Sequence, residues 1–271
     1  MASQTSPPPP SVMAVFVTFL IAAFAILVAS VFAGMVLHSL DPDVPPIEAL
    51  QGLKGLIAGA LASSCGLIFT LFIATRGLSL TRLRLVPGRE RGVDIGVAIL
   101  GVLALGQTLD SLTTLIGLGD HGSMAVIRRA LLGASGPELF LAVVTIGVLA
   151  GAAEEAFFRG YMQSLLRERW RPALAIAVTA ICFGGLHLDP VHAPLAVALG
   201  VYLGFVTERT GSTLPAVVCH VVNNSVYTVL TSVVGTISSR EINMILGAVA
   251  AVVFAGAILW LVRSLPAPAG A

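Results

Sequence analysis

Apolar residues run through this chain in long blocks, and polar residues gather in the short stretches between them. Eight blocks are each compatible with the roughly 20 residues a helix needs to cross ~30 Å of hydrocarbon. They lie at about 12–38, 53–75, 93–118, 138–168, 172–189, 193–208, 213–236 and 242–263. Between the fifth and sixth, which are short, Asp189-Pro190-Val191-His192-Ala193-Pro194 reads as a turn, because two prolines and an aspartate interrupt a continuous helix. The pattern predicts an all-α integral membrane protein, a bundle of about eight transmembrane helices. No internal repeat and no soluble domain is evident, so 12–263 reads as one membrane domain whose chemistry-bearing core is about 138–236. Residues 1–11 hold four consecutive prolines and no basic residue, which suits a disordered tail better than a signal peptide. Residues 264–271 read as a short C-terminal tail.

Composition agrees. Of 271 residues, 56% are hydrophobic and 11% charged, against about 25% charged in a soluble domain. A net charge of +1 argues against nucleic acid as a partner and leaves the lipid bilayer as the surroundings. Cys65, Cys182 and Cys219 are scattered through apolar spans without CxxC spacing, and so read as buried free thiols. Arginine placement predicts orientation. Arg76, Arg82, Arg84, Arg89 and Arg91 fall between the second and third spans, and Arg167, Arg169, Arg171, Arg209 and Arg263 fall on the same side. That bias puts both termini in the cytoplasm of a multi-pass protein of the plasma (inner) membrane.

Against this apolar background a few polar residues stand out. Glu154 and Glu155 are adjacent inside the fourth span, where a charged side chain costs about 2.5–3.5 kcal/mol even on the lenient insertion scale. His187 ends the fifth span, and His220 and Asn224 share one face of the seventh at i, i+4. If the fourth and fifth spans turn at Trp170-Arg171-Pro172, Glu154 lies 16 residues before the turn and His187 lies 16 after it. Antiparallel helices then set the two at one height, ~24 Å from the turn at ~1.5 Å per residue. Adjacent helical residues point about 100° apart, so the two glutamates have different tasks. Glu155 and Arg159 are spaced for an ion pair, which makes Arg159 a positioning residue. Glu154 has no such partner and is the candidate general base for a water molecule. His187 can share that water or protonate a leaving amine, and His220 with the Asn224 amide can donate to a developing oxyanion. Phe183 shares a face with His187 and reads as its packing wall. Asp110 either lines the same interior or hydrogen-bonds a nearby Ser or Thr, and Gly200 and Gly204 make a small-residue packing step.

Glu154, His187 and His220 also supply a Glu and two His, a set found in catalytic zinc sites. No HExxH helix is present, and Glu155, the one evident outer carboxylate, is spaced to pair with Arg159. The expectation is a metal-independent mechanism, with zinc as the alternative cofactor.

Glu154-Glu155-x-x-x-Arg159, Phe183-x-x-x-His187 and His220-x-x-x-Asn224 resemble, in order and spacing, the three motifs of the CAAX prenyl protease and bacteriocin-processing (CPBP) family of intramembrane proteases. Phe158-Arg159-Gly160-Tyr161, Thr210-Gly211-Ser212 and Leu214-Pro215 extend the likeness, which covers about 154–224. The resemblance implies an eight-helix fold enclosing a conical cavity, and hydrolysis of peptide bonds near the membrane surface. By that likeness Glu154 and His187 activate water, while His220 and Asn224 stabilise the oxyanion. Some members of the family remove the C-terminal tripeptide of prenylated CAAX proteins, and some bacterial members are linked to bacteriocin immunity. The expected partner is therefore a membrane-associated protein or peptide substrate. Two other functions compete: a non-catalytic protein binding a peptide or partner in an immunity or scaffold role, and a transporter using the carboxylates as a proton relay. The absence of repeated halves disfavours the transporter.

Overall fold

A computed structural model describes residues 10–265; most of the N-terminal tail and most of the C-terminal tail lie outside the described residues. Eight long helical segments follow one another: α1 (Val12–Leu40), α2 (Leu53–Ala74), α3 (Gly92–Leu115), α4 (Gly136–Arg167), α5 (Pro172–Gly185), α6 (His192–Thr210), α7 (Leu214–Val234) and α8 (Arg240–Ser264). Among the described residues, six of these are long and apolar enough to cross a membrane, the exceptions being α5 and α6. At 14 residues α5 extends only about 21 Å. The fifth apolar block was expected to run to residue 189. The helix stops instead at Gly184-Gly185, and Leu188 adopts a left-handed φ of 50° that turns the chain toward α6.

The helix ends follow local chemistry. Ser11 and Ser239 accept from the backbone N–H groups of Ala14 and Ile242 at the starts of α1 and α8. Pro172 and Pro215 occupy the first turns of α5 and α7, where a missing N–H costs no bond. Gly211 closes α6 in the left-handed conformation that a side chain would resist.

In packing order α1 lies on α2, α2 on α4, α4 on α7, and α7 on α3 and α6, while α8 covers α3 and α5 covers α6. Large apolar side chains of α1 and α8, such as Phe24, Phe32, Val252 and Leu259, face outward, as lipid-facing surfaces do. Cys65 corrects one expectation: it is exposed on α2, because an apolar residue surrounded by lipid need not be inside the protein. Cys219 is buried and Cys182 half-buried, and all three are free thiols. Gly147 lets α4 and α7 approach closely, since a methyl group there would collide with the Ser225 hydroxyl.

Two features of α4 were not expected. Its backbone opens into wider i→i+5 turns at Val143–Ala150 and again at Ala156–Gln163, with a short piece of ordinary α-helix between them at Gly151–Glu155. Such turns insert an extra residue and re-aim the side chains that follow, and they recur at functional sites.

The arginine-rich segment after α2 folds across one end of the bundle. Arg82 donates to both oxygens of Glu168 (2.7 and 3.0 Å), and Glu208 accepts from Arg84 (2.7 Å), Arg167 (3.0 Å) and Gln163 (3.1 Å). The Arg82 guanidinium holds the Glu168 carboxyl below the usual carboxylate range. Thr213 N–H donates to the Arg84 carbonyl (2.8 Å) and the Ser212 hydroxyl to that of Val86 (2.7 Å). These arginines therefore tie α4, α6 and α7 together as well as biasing charge. An amphipathic helix, Gly122–Leu131, lies outside the long segments and packs on α7 and α2. Its Arg128 pairs with Asp110, which settles the role of that aspartate as an ion pair rather than a bond to Ser or Thr.

Candidate active site

Glu154 and Glu155 sit on the short α-helical piece of α4 between the two widened turns, and their environments differ sharply. Glu155 is fully buried, and one of its oxygens, Oε1, accepts from Arg159 Nη1 at 2.7 Å and lies 2.8 Å from His220 Nδ1. Glu154 keeps 19% of its side-chain surface exposed and turns Oε2 toward His220 Nε2 at 3.6 Å. His220 of α7 is thus held between two carboxylates, one buried and fixed, the other open. Because Nδ1 must donate to Glu155, a neutral His220 would present a lone pair to Glu154.

Arg159 is fully buried and uses its second arm, Nη2, to reach the Gly200 carbonyl of α6 at 3.0 Å. One turn on, Gln163 Nε2 donates to the Gly204 carbonyl at 3.1 Å. Added methyl groups at Gly200 and Gly204 would stand 3.0 Å from Arg159 Nη2 and 2.8 Å from Gln163 Oε1. The small-residue step in α6 therefore does more than pack helices: it opens two backbone carbonyls to polar side chains of α4.

Phe183 of α5 is the junction of the site rather than only a wall for His187. Its ring meets His187 (5.2 Å between centroids, 84°) and His220 (5.8 Å, 89°) edge to face, and the Arg159 guanidinium lies 4.8 Å from its centroid. His187 Nδ1 lies 3.1 Å from the Phe183 carbonyl, which can only accept. That bond fixes the proton on Nδ1 and leaves Nε2 as an acceptor, the form a base requires. Asn224, one turn beyond His220, donates from Nδ2 to the Ile146 carbonyl in the first widened turn at 3.4 Å. Its Oδ1 accepts from Asn223 at 3.3 Å. Both bonds are long, so the amide can exchange them for a substrate oxygen at little cost.

Six of the seven residues expected in the site, Glu154, Glu155, Arg159, Phe183, His187 and His220, thus form one chain of contacts, with Asn224 beside it on α7. Among the described residues no group of three or more His, Cys, Asp or Glu side chains is arranged to hold a metal ion. Glu154, His187 and His220 as they stand do not make a ligand set. Two clefts, of about 560 and 330 Å³, lie elsewhere, the first beside Arg91, Trp260 and Arg263, the second beside Lys54 and Glu138.

One neighbour carries no role in the sequence reading: His192, named there only as part of the turn after the fifth span, lies edge to face against His187 with centroids 4.2 Å apart. The signal available was its place five residues on, across a turn set by Asp189-Pro190.

Residues 136–226 match the family model Rce1-like, described as type II CAAX prenyl endopeptidase. The match bears out the resemblance drawn from the motifs. No curated protein and no solved structure matches the chain. The Rce1-like stretch begins at the first residue of α4, ends within α7, and contains every residue of the cluster, while α1–α3 and α8 lie outside it. The stretch that resembles a family of membrane endopeptidases is thus the stretch that holds the buried polar cluster.

Proposed function

We propose that the protein is an intramembrane peptidase that cleaves a membrane-anchored protein, of the prenylated CAAX kind the family is named for, with water activated by Glu154. The observation that carries this reading is the unequal pair of glutamates around His220: Glu155 buried and bonded, Glu154 open and facing Nε2. Glu154 takes the proton from the attacking water, and His187 Nε2 accepts a second hydrogen bond that orients it. As the tetrahedral intermediate forms, its oxyanion is met by His220 Nε2–H and Asn224 Nδ2. Loss of one such donor typically slows turnover by about 10²–10³-fold. Glu155, braced by Arg159, accepts from His220 Nδ1 and favours the doubly protonated ring, the form in which Nε2 can also donate to the oxyanion. Glu154 or His187 then returns a proton to the departing amine.

Comparing the membrane proteomes of wild-type and Glu154→Gln cells tests the assignment. The variant should accumulate uncut, membrane-bound proteins that the wild type shortens; identical proteomes would count against it.

The arginine distribution supports a site entered from the cytoplasm. Single cysteines at Thr81 and Asp43, in a background lacking Cys65, Cys182 and Cys219, check this. An impermeant reagent outside intact cells should modify position 43 and spare position 81, and the reverse would invert the topology.

The engagement of Glu155 with Arg159, which leaves no free outer carboxylate to brace a metal-bound histidine, supports a mechanism without a metal ion. Purified protein should keep its activity in strong chelators and carry substoichiometric zinc by elemental analysis. Stoichiometric zinc, with activity lost on chelation and restored by the ion, would decide for a metalloprotease.

A further inference from the structure

We infer that Asp189 is a positioning residue for His187, acting through His192 and fastened by the helix Gly122–Leu131. This rests on the reading of His187 as a member of the catalytic site. Asp189 occupies the α5–α6 turn and uses both carboxylate oxygens. Oδ1 accepts from the backbone N–H groups of His192 (2.7 Å) and Val191 (3.0 Å), fixing the first turn of α6. Oδ2 accepts from the Ser123 N–H at 2.9 Å, at the start of the amphipathic helix. The preceding residue, Gly122, has a φ of +69°, and a methyl group there would stand 2.7 Å from both carboxylate oxygens. The contact is thus built for a backbone that only glycine allows to come so near. Ser123 then reaches inward, its hydroxyl 3.2 Å from His192 Nδ1. His192 passes the constraint on, because its ring lies edge to face against His187 at 4.2 Å.

His187 needs this support from outside. It lies beyond the last residue of α5, in a turn where Leu188 is left-handed at φ 50° and 90% exposed. One side of its ring is fixed by the Phe183 carbonyl and the Phe183 ring. His192 supplies the other. Without it the imidazole can swing about its bond to the backbone, and Nε2 loses its aim at the water. A displacement on the order of 1 Å at a reacting group can cost about 100-fold in rate.

Asp189→Asn separates this role from simple helix capping. The amide oxygen still caps α6, but the amide nitrogen confronts the Ser123 N–H and the clasp opens. With a quenched, farnesylated CAAX peptide as the probe, Asp189→Asn and Ser123→Ala should each lower kcat by about tenfold or more. KM and melting temperature should stay as in the wild type. Gly122→Ala should reproduce the kcat loss, although position 122 touches neither histidine ring. In ¹⁵N spectra of selectively labelled protein, the Nδ1–H form of His187 should dominate in the wild type and give way to mixed tautomers in Asp189→Asn. The proposal is overturned if kcat and the His187 spectrum both stay at wild-type values in these variants, or if kcat falls only in step with melting temperature. The spectra need no turnover. A wild type that cleaves nothing would defeat the protease reading and leave the clasp to be judged by His187 alone.

Discussion

Glu154→Gln is expected to lower kcat by roughly 10²–10⁴-fold, the contribution of a positioned general base, while the protein melts where the wild type does. The substitution keeps the size of the side chain and removes only its capacity to take a proton. Glu154 is the member of the pair that keeps 19% of its side chain exposed, and the buried network of Glu155 and Arg159 remains whole. Rates on the farnesylated CAAX peptide, measured beside thermal melts of the same preparations, check both halves. Near wild-type turnover would remove Glu154 from the chemistry, and a large drop in melting temperature would make it a structural residue.

The largest effect on stability is expected at Arg159. Arg159→Leu strips the Glu155 carboxylate of its partner in a site where both side chains are fully buried. Breaking such a pair on one side costs about 3–5 kcal/mol, because a buried charge is left uncompensated. The Gly200 carbonyl and the Phe183 face lose their contacts as well. The double variant Glu155→Leu, Arg159→Leu should regain much of that loss, since replacing both members by apolar groups leaves no charge unpaired. It should remain inactive, because His220 Nδ1 no longer has its acceptor. Denaturant titration in detergent gives the first quantity and peptide turnover the second. Wild-type stability in Arg159→Leu would show that the pair contributes nothing to the fold, and full activity in the double variant would separate Glu155 from His220.

Much of this was legible in the sequence, for identifiable reasons. Helix starts at 12, 53 and 172 follow from apolar runs broken by Ser, Gly and Pro, which act locally. The Glu155–Arg159 pair follows from i, i+4 spacing, and the His220–Asn224 face likewise. The illegible parts depend on residues far apart in the chain or on backbone geometry that no single residue type marks. Glu208 gathers Arg84 and Arg167 from other segments, and nothing near it in the sequence announces them. The widened turns of α4 carry no proline, and their glycines, Gly147 and Gly160, are of a kind that also sits inside ordinary membrane helices, so the sequence gave no sign of the re-aimed face. Asp189 was visible as a turn residue, but its second oxygen meets Ser123, 66 positions away. Phe183 was placed beside His187 by spacing alone, while its contact with His220 needed α7 to be docked.

The most direct test of the central claim is the fate of a single peptide bond. Purified wild-type protein in lipid nanodiscs would be given the farnesylated CAAX peptide in water enriched in ¹⁸O, with chelator present, and the products read by mass spectrometry. The account predicts a shortened farnesylated peptide whose new carboxyl carries one ¹⁸O from the attacking water, and none of it from Glu154→Gln. An intact peptide after incubation with folded wild-type protein, or equal cleavage by Glu154→Gln, would contradict it.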